Sequence, residues 1–510
     1  MRSRILSNAI ANYAGQVTIV LVTFVLTPAL LAHLGDAMYG VLLLVSAVQG
    51  LGGLFDFGIT TSVVKYVAEH HARDEIDEIN RVVSTSFFLH LVVGLMALLV
   101  VSCVALFGIP LFNLQPAEEA VAQPALILAG VSLMISLPLG AVASVLQGLR
   151  HYEITNVVAV VQALSTAGVT LFVLQLGGGP VELMIVNTVS LALAYCVRVW
   201  FALRLLPGLR LSPGYATRAT LKRIGGYSVW LFMLDMARRI FYNADAVLIA
   251  AFLPVSKVTA YNLGFKPASA LTYFSSPFVS VLLPAASALE ALKDQERLRH
   301  LFVTATRIAV VVTMPVFLWL ILFGRQVLEV WVGPGHEDAL PVLYIFCAVF
   351  LVSIAQNPGG TVLRGIGQVR ILALVVMSEY AANIILSLLL LPRVGVIGAA
   401  IGTLIPAILV DLLLIPLLAC RALSMTYVRF VIGAFAGPLV AAGPAALLFW
   451  LLSRWLETSS LLSLIASGVL SVALFGVCYF LLGATAGERV IAGNAIKNVL
   501  RRARQGQAPR

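Results

Sequence analysis

Fourteen apolar stretches separated by short polar breaks occupy most of this chain, over residues 8–31, 41–64, 84–107, 125–147, 155–176, 182–205, 226–253, 259–286, 303–324, 340–362, 371–391, 396–419, 430–452 and 461–483. A helix rising 1.5 Å per residue needs about 20 apolar residues to cross a hydrocarbon core roughly 30 Å thick, and each stretch meets that length. None has the short, strictly alternating pattern of a barrel strand. A mean hydropathy of +1.00, with only 11% charged residues, excludes a soluble domain of this size. The predicted fold is an all-α polytopic membrane protein of fourteen transmembrane helices. Met1-Arg-Ser-Arg leads directly into the first stretch with no small-residue cleavage site before the next loop, so that helix is expected to remain.

Basic residues fix the expected orientation. With the N-terminus in the cytoplasm, 26 of the 33 Lys and Arg fall in cytoplasmic segments or at the cytoplasmic ends of spans, four (Lys257, Arg325, Arg393 and Arg454) fall opposite, and Arg238, Arg239 and Lys266 are the remaining three, within spans. Both termini are therefore expected on the cytoplasmic side. The net charge of +10 reads as a topology signal, because dispersal along one membrane side does not make a nucleic-acid face. Cys103, Cys196, Cys347, Cys420 and Cys478 lie in apolar stretches without CxxC or Cys/His pairing and read as small buried residues, with no metal site.

The chain repeats itself at an offset of about 217 to 222 residues. Ala32-His-Leu-Gly-Asp-Ala-Met-Tyr39-Gly pairs with Ala251-Phe-Leu-Pro-Val-Ser-Lys-Val-Thr-Ala-Tyr261-Asn. Val145-Leu-Gln-Gly148-Leu-Arg150-His pairs with Val362-Leu-Arg-Gly365-Ile-Gly-Gln-Val. The charged stretches 65–81 and 288–299 also match, and both are expected along the membrane surface. Six spans per repeat make the halves parallel, two lobes related by an axis along the membrane normal. The expected organisation is an N-lobe over 1–206, a basic linker over 207–224 that serves as hinge, a C-lobe over 225–421, an appendage of two helices over 422–485 and a basic tail over 486–510.

The seventh stretch carries the charges a bilayer tolerates least. Asp235, Arg238, Arg239, Tyr242 and Asp245 recur at steps of three or four, on one helix face. Asp235 lies roughly 14 Å into the span, too deep to snorkel. Two readings stand side by side: an aqueous cavity lining, or intrahelical pairs that neutralise one another and fix packing. Lys266 lies about 10 Å down the eighth span and either faces the cavity or snorkels outward. Asp56, Glu379 and Asp411 are lone acids in other spans, each protonated, paired or a candidate coupling-ion site. Tyr380 and Asn383 beside Glu379 complete a polar face. The longest non-cytoplasmic loops, near Asn113–Pro124 and Gly324–Leu340, are too short for the extramembrane domain that a membrane polymerase or glycosyltransferase uses.

The Leu34-Gly-x-x-x-Tyr39-Gly turn, the Leu54-Phe-Asp56-Phe-Gly58 element and Gly395-Val-Ile-Gly398-Ala-Ala-Ile-Gly402, in a 6+6+2 plan, resemble the multidrug/oligosaccharidyl-lipid/polysaccharide exporter superfamily, and within it the polysaccharide-export branch of Wzx-type flippases. The resemblance covers nearly the whole chain. It implies a bacterial inner-membrane transporter, not an enzyme and without a cofactor. Such a protein carries undecaprenyl-pyrophosphate-linked oligosaccharide, as for O-antigen, capsule or exopolysaccharide, to the periplasmic leaflet by alternating access. Expected partners are the lipid-linked substrate, membrane lipids, a coupling proton or sodium ion, and a polysaccharide polymerase with its chain-length machinery. Alternatives are a lipid II flippase and a cation-coupled multidrug exporter of the same superfamily. No family site transfers by motif except the Asp56 element by position. On this reading Arg238, Arg239 and Lys266 supply the charge-assisted hydrogen bonds a pyrophosphate needs on leaving water. The acids Asp56, Asp235, Asp245, Glu379 and Asp411 are then candidate coupling groups, and Tyr242, Tyr380 and Asn383 polar lining.

Overall fold

The computed structural model describes residues 2–227, 229–455 and 460–490, with side chains described there except over 2–14, 16–17, 224–231 and 273–281. All regular structure among these residues is helical. In chain order the helices are α1 (Arg2–Gly52), α2 (Ile59–His71), α3 (Ile76–Cys103), α4 (Pro116–Ala143), α5 (Val145–Gly148) and α6 (Tyr152–Gln175), then α7 (Pro180–Leu205), α8 (Arg218–Tyr227) and α9 (Val229–Phe252). They continue with α10 (Ser256–Ser269), α11 (Leu271–Ala291), α12 (Gln295–Val332), α13 (Ala339–Gly365) and α14 (Val369–Val394). The last four are α15 (Val396–Ala407), α16 (Ile415–Ala422), α17 (Tyr427–Ser453) and α18 (Leu461–Cys478).

Eleven segments among the described residues are long and apolar enough to cross a membrane. The chain is a multi-pass membrane protein. The fourteen expected spans are not all in that set, for physical reasons. Thr18–Asp56 carries two of them, divided within α1 at Gly35, where φ 72° and ψ 172° interrupt the helix. The expected seventh is α9, whose 24 residues hold Asp235, Arg238, Arg239 and Asp245. The expected eighth is shared between α10 and α11, and its side chains over 273–281 lie outside the described residues.

The repeat is visible in the backbone. Left-handed φ values occur at Asp74 and Lys293, Arg150 and Gly367, Gly177 and Gly395, and Gly208 and Ser424, each pair separated by 216 to 219 residues. His151 N–H donates to the Leu146 carbonyl and Gln368 N–H to the Leu363 carbonyl, both at 2.8 Å, the six-to-one bond that closes a helix behind a left-handed residue. The stretches 65–81 and 288–299 also share one form. Each is a helix end, a left-handed turn and a new helix start, with Glu75 N–H on the His70 carbonyl and Asp294 N–H on the Leu289 carbonyl, both 3.0 Å.

The chain packs as two compact units, Met1–Leu263 with Val369–Thr403, and Gly264–Gln368 with Leu404–Arg510. In the first, α1 packs on α4, α6 and α9, α3 on α4, α4 on α7 and α9 on α14. Its largest described apolar cluster joins Val63 and Val67 of α2, Val82 and Val83 of α3, Leu146 of α5 and Ala202 of α7, all fully buried. The turn at Gly35 packs against its repeat partner: the Thr259 hydroxyl donates to the Asp36 carbonyl at 2.7 Å. Gly40 lies so close to the Val255 carbonyl that a Cβ there would collide with backbone.

The basic linker is held to α3. Asn80 donates to the Gly208 carbonyl at 3.1 Å and accepts from Arg210 N–H at 2.9 Å. The Ser84 hydroxyl donates to the Arg210 carbonyl at 3.2 Å and accepts from Ser212 N–H at 3.3 Å. Asn80 and Ser84 stand four residues apart, on one face of α3, and both are buried.

In the second unit α12 packs on α11, α13, α17 and α18. The Trp319 indole donates to the Ser467 hydroxyl at 2.9 Å, and Ser471 donates to the Pro315 carbonyl at 2.8 Å. Arg307 of α12 donates to the Gly433 carbonyl of α17 and pairs with Glu488 at 3.5 Å. Burial opposes the charge on Glu488, but hydrogen bonds from Thr485 and Tyr479 and the charge of Arg307 outweigh it, holding this carboxyl below its ordinary range.

Candidate functional site

Where α1 ends, the chain makes a short 3-10 turn over Gly53–Asp56, then passes through Phe57 (φ 48°) and Gly58 (φ 71°) before α2 begins. A left-handed non-glycine residue costs about 1–2 kcal/mol. Irregular backbone at membrane depth persists where it is buried in protein or lines a cavity. Here it positions Asp56. The Asp56 carboxylate accepts the Thr60 hydroxyl and, at 3.4 Å, the Thr60 N–H in the first turn of α2. On its other side His90 Nε2 of α3 lies 3.3 Å from Asp56 Oδ1, with the imidazole fully buried.

Across from this break, α9 presents Asp235 with both arginines. Arg238 donates to Oδ1 at 2.6 Å and Arg239 Nε to Oδ2 at 2.8 Å, the intrahelical pairs expected at steps of three and four. Successive residues on a helix diverge by about 100°, so the two arginines cannot serve one surface equally. Arg239 lies against Gly53, at a place a Cβ on residue 53 would fill. Arg238 is 67% exposed and lies off the cavity.

That cavity measures about 430 Å³ and is lined by Asp56, Asp235, Arg198, Arg239 and Tyr195, with Gln49, Thr60, Gln147 and Thr155 as neutral polar groups. Its walls come from α1, α2, α4, α5, α6, α7 and α9 and the turn Gly53–Asp56. Two carboxylates and two guanidiniums make it formally neutral but rich in donors. Arg198 Nε is buried and has no hydrogen-bond partner among the described residues, while its guanidinium sits 5.3 Å from the centre of the Tyr195 ring. A buried donor without a partner is costly.

Three of the expected site residues thus come together: Asp56, Asp235 and Arg239. The others lie elsewhere. Asp245, on the same helix, is 3% exposed and is enclosed by hydroxyl donors from Tyr261 at 2.5 Å, Thr403 at 3.1 Å and Ser387 at 3.4 Å. Asn383 joins that network by donating to Thr403 Oγ1 at 2.8 Å. Glu379 is buried on the same side of α14 as Asn383. Tyr380 packs edge-on against Phe241 at 5.6 Å, as Tyr242 does at 5.0 Å with its own ring 46% exposed. Lys266 lies in the last turn of α10. In the other unit, Asp411 is 4% exposed within a π-helical turn, Ile408–Leu414, and accepts the Ser353 hydroxyl at 2.6 Å.

Sequence reasoning passed over Arg198, Tyr195 and His90. Arg198 counts as a topological cation because it begins the basic run to Arg223, yet it lies within α7 and reaches the cavity. The available signal was its spacing of three from Tyr195, which puts the two on one helix face.

The comparisons with known proteins agree with this architecture. Residues 5–290 match the family model described as polysaccharide biosynthesis protein. A Shigella flexneri protein that carries the name of an O-antigen transporter is 23% identical over 82% of this chain and 99% of its own. A Haloferax volcanii protein named as a low-salt glycan biosynthesis flippase is 22% identical over 37% of this chain and 38% of its own. Among solved structures, the lipid II flippase MurJ in an inward closed conformation superposes with a TM-score of 0.73 at 13% identity, covering 93% of this chain and 99% of that one, a likeness of fold. With more than half its length matched by the family model, this chain belongs to the polysaccharide biosynthesis protein family.

Proposed function

We propose that the protein is a flippase that carries undecaprenyl-pyrophosphate-linked oligosaccharide from the cytoplasmic to the periplasmic leaflet of the bacterial inner membrane. One observation carries this reading: a polar cavity holding two guanidiniums, Arg198 and Arg239, lies among membrane-length helices. A pyrophosphate leaving water needs several charge-assisted hydrogen bonds at once, and planar guanidiniums supply them in pairs. The volume of about 430 Å³ suits a diphosphate with an adjoining sugar, within the roughly 300–1,000 Å³ usual for small-molecule sites. The names of the Shigella and Haloferax relatives point the same way.

The lining also divides between the proposed lobes. Asp56, Tyr195 and Arg198 belong to residues 1–206, and Asp235 and Arg239 to residues 225–421. Arg198 and Arg239 share one compact unit, so release of the headgroup by alternating access calls for α9 to shift relative to α7 within it. Transport of this kind makes and breaks no covalent bond in the substrate, so the protein acts as a carrier and not as an enzyme. The excess of basic residues on alternate loops supports a cytoplasmic position for both termini. A multidrug exporter for cations calls for an acid-dominated cavity, whereas this one balances its two acids with two arginines.

The test is accumulation. Spheroplasts of the native cell lacking this gene should hold lipid-linked saccharide that an added glycosidase or lectin cannot reach, and a plasmid copy should restore access. Normal access in the deleted cells would refute the reading.

A further inference from the structure

His90 is fully buried midway along α3, with Nε2 3.3 Å from Asp56 Oδ1 and 3.4 Å from the Asp56 carbonyl, and its Nδ1 has no hydrogen-bond partner among the described residues. An ionisable group within a membrane span is a functional candidate by default. Its state follows from its partners. A neutral imidazole carries one N–H. On Nδ1 that proton would face no acceptor and leave a buried donor unmet, whereas on Nε2 it reaches Asp56. With its single proton on Nε2 and Asp56 ionised, the dyad carries one negative charge.

The surroundings make that charge count. Asp56 faces the cavity together with Asp235, Arg198 and Arg239, so the four sum to zero. One proton added to the dyad, on either the carboxylate or the imidazole, raises the cavity to +1. No other titratable group competes nearby on α3 or α4: α4 packs along α3 and bears none from Ala120 to Ala143, and Arg81 is the nearest on α3 itself. From the other elements around the cavity the charged and titratable groups are Tyr195 and Arg198 of α7 and Asp235 and Arg239 of α9. On α2 the nearest is Lys65, nine residues beyond Asp56.

We propose that His90 and Asp56 form a one-proton store that is filled when an anion occupies the cavity and emptied when the anion leaves. The inference rests on the flippase reading for the identity of the anion. It adds a specific pair of groups through which a proton and the headgroup are linked. Linkage is reciprocal: if the proton strengthens anion binding, the anion must strengthen proton binding by the same factor.

The test uses the purified full-length protein and a short-chain prenyl pyrophosphoryl monosaccharide, whose two phosphodiester charges do not titrate in the working range. The wild type should bind this probe at least about fivefold more tightly near pH 5.5 than near pH 8. Calorimetry in two buffers of different ionisation enthalpy should register proton uptake on binding at neutral pH. His90→Gln and His90→Asn should each flatten the pH dependence and abolish the uptake, with folding checked by thermal melting. Binding without proton uptake in the wild type overturns the proton store and leaves the flippase reading intact, as does an unchanged pH dependence in a folded variant. Absence of binding at every pH overturns both.

Discussion

Arg239 holds Asp235 through Nε at 2.8 Å while its guanidinium lies against Gly53, so the arginine that neutralises its own helix also enters the cavity. Arg238 makes the shorter contact with the same carboxylate, 2.6 Å, and stays outside. Arg239→Ala should weaken binding of a prenyl pyrophosphoryl saccharide by about tenfold or more, the loss of one charge-assisted hydrogen bond of roughly 1.5–3 kcal/mol. Arg238→Ala should change it by less than about threefold. Titration calorimetry on both variants checks the order, and a larger loss in Arg238→Ala would reverse the assignment.

Gly53 is the second half of that relationship. A Cβ at this position would meet the terminal nitrogen of Arg239, the far end of a flexible side chain, so Gly53→Ala should displace the guanidinium without unfolding the protein. Weaker probe binding with a melting temperature within about 2 °C of wild type is the expected result. An unchanged affinity would mean that Arg239 does not act from this position.

The linker's attachment to α3 depends on Asn80, which satisfies both the Gly208 carbonyl and the Arg210 N–H. Asn80→Ala leaves those backbone groups without their partner, at a cost of about 1–3 kcal/mol. Local opening should follow. Limited trypsin digestion should cut the variant after Arg204 or Arg210 several-fold faster than the wild type, and equal rates would show that Ser84 and the apolar packing suffice.

Glu488 gives a pH dependence with a definite sign. Its carboxyl is held below the ordinary value of 4.5, so the folded state binds its proton more weakly than the unfolded chain does. The resulting stability is fully present above that value and is lost as pH falls through the folded value. The melting-temperature gap between wild type and Glu488→Gln should stay constant near neutrality and close below about pH 4.5. A gap that widens in acid would contradict the Arg307 contact as its source.

Much of this was legible in the residues. Apolar length fixed the helices, and the 217-residue spacing of Arg150 and Gly367 reappears as two identical helix ends. Asp56 stood out because a charge and a glycine interrupt an apolar run. The partition of Arg238 from Arg239 was not legible, since their shared helix can be rotated either way until its neighbours are placed. His90 was missed because a single histidine between Leu89 and Leu91 carries no pattern of its own. The linker's docking had a faint signal in Asn80 and Ser84, two polar residues four apart at the start of a long apolar helix.

Transport itself is the direct test. Proteoliposomes containing the purified protein and a fluorescent prenyl pyrophosphoryl saccharide in one leaflet should move that lipid to the other leaflet well above the rate of empty liposomes. Arg239→Ala, incorporated to the same level, should reduce the protein-dependent rate by about tenfold or more. Movement no faster than in empty liposomes, from protein shown to be folded, would contradict the account.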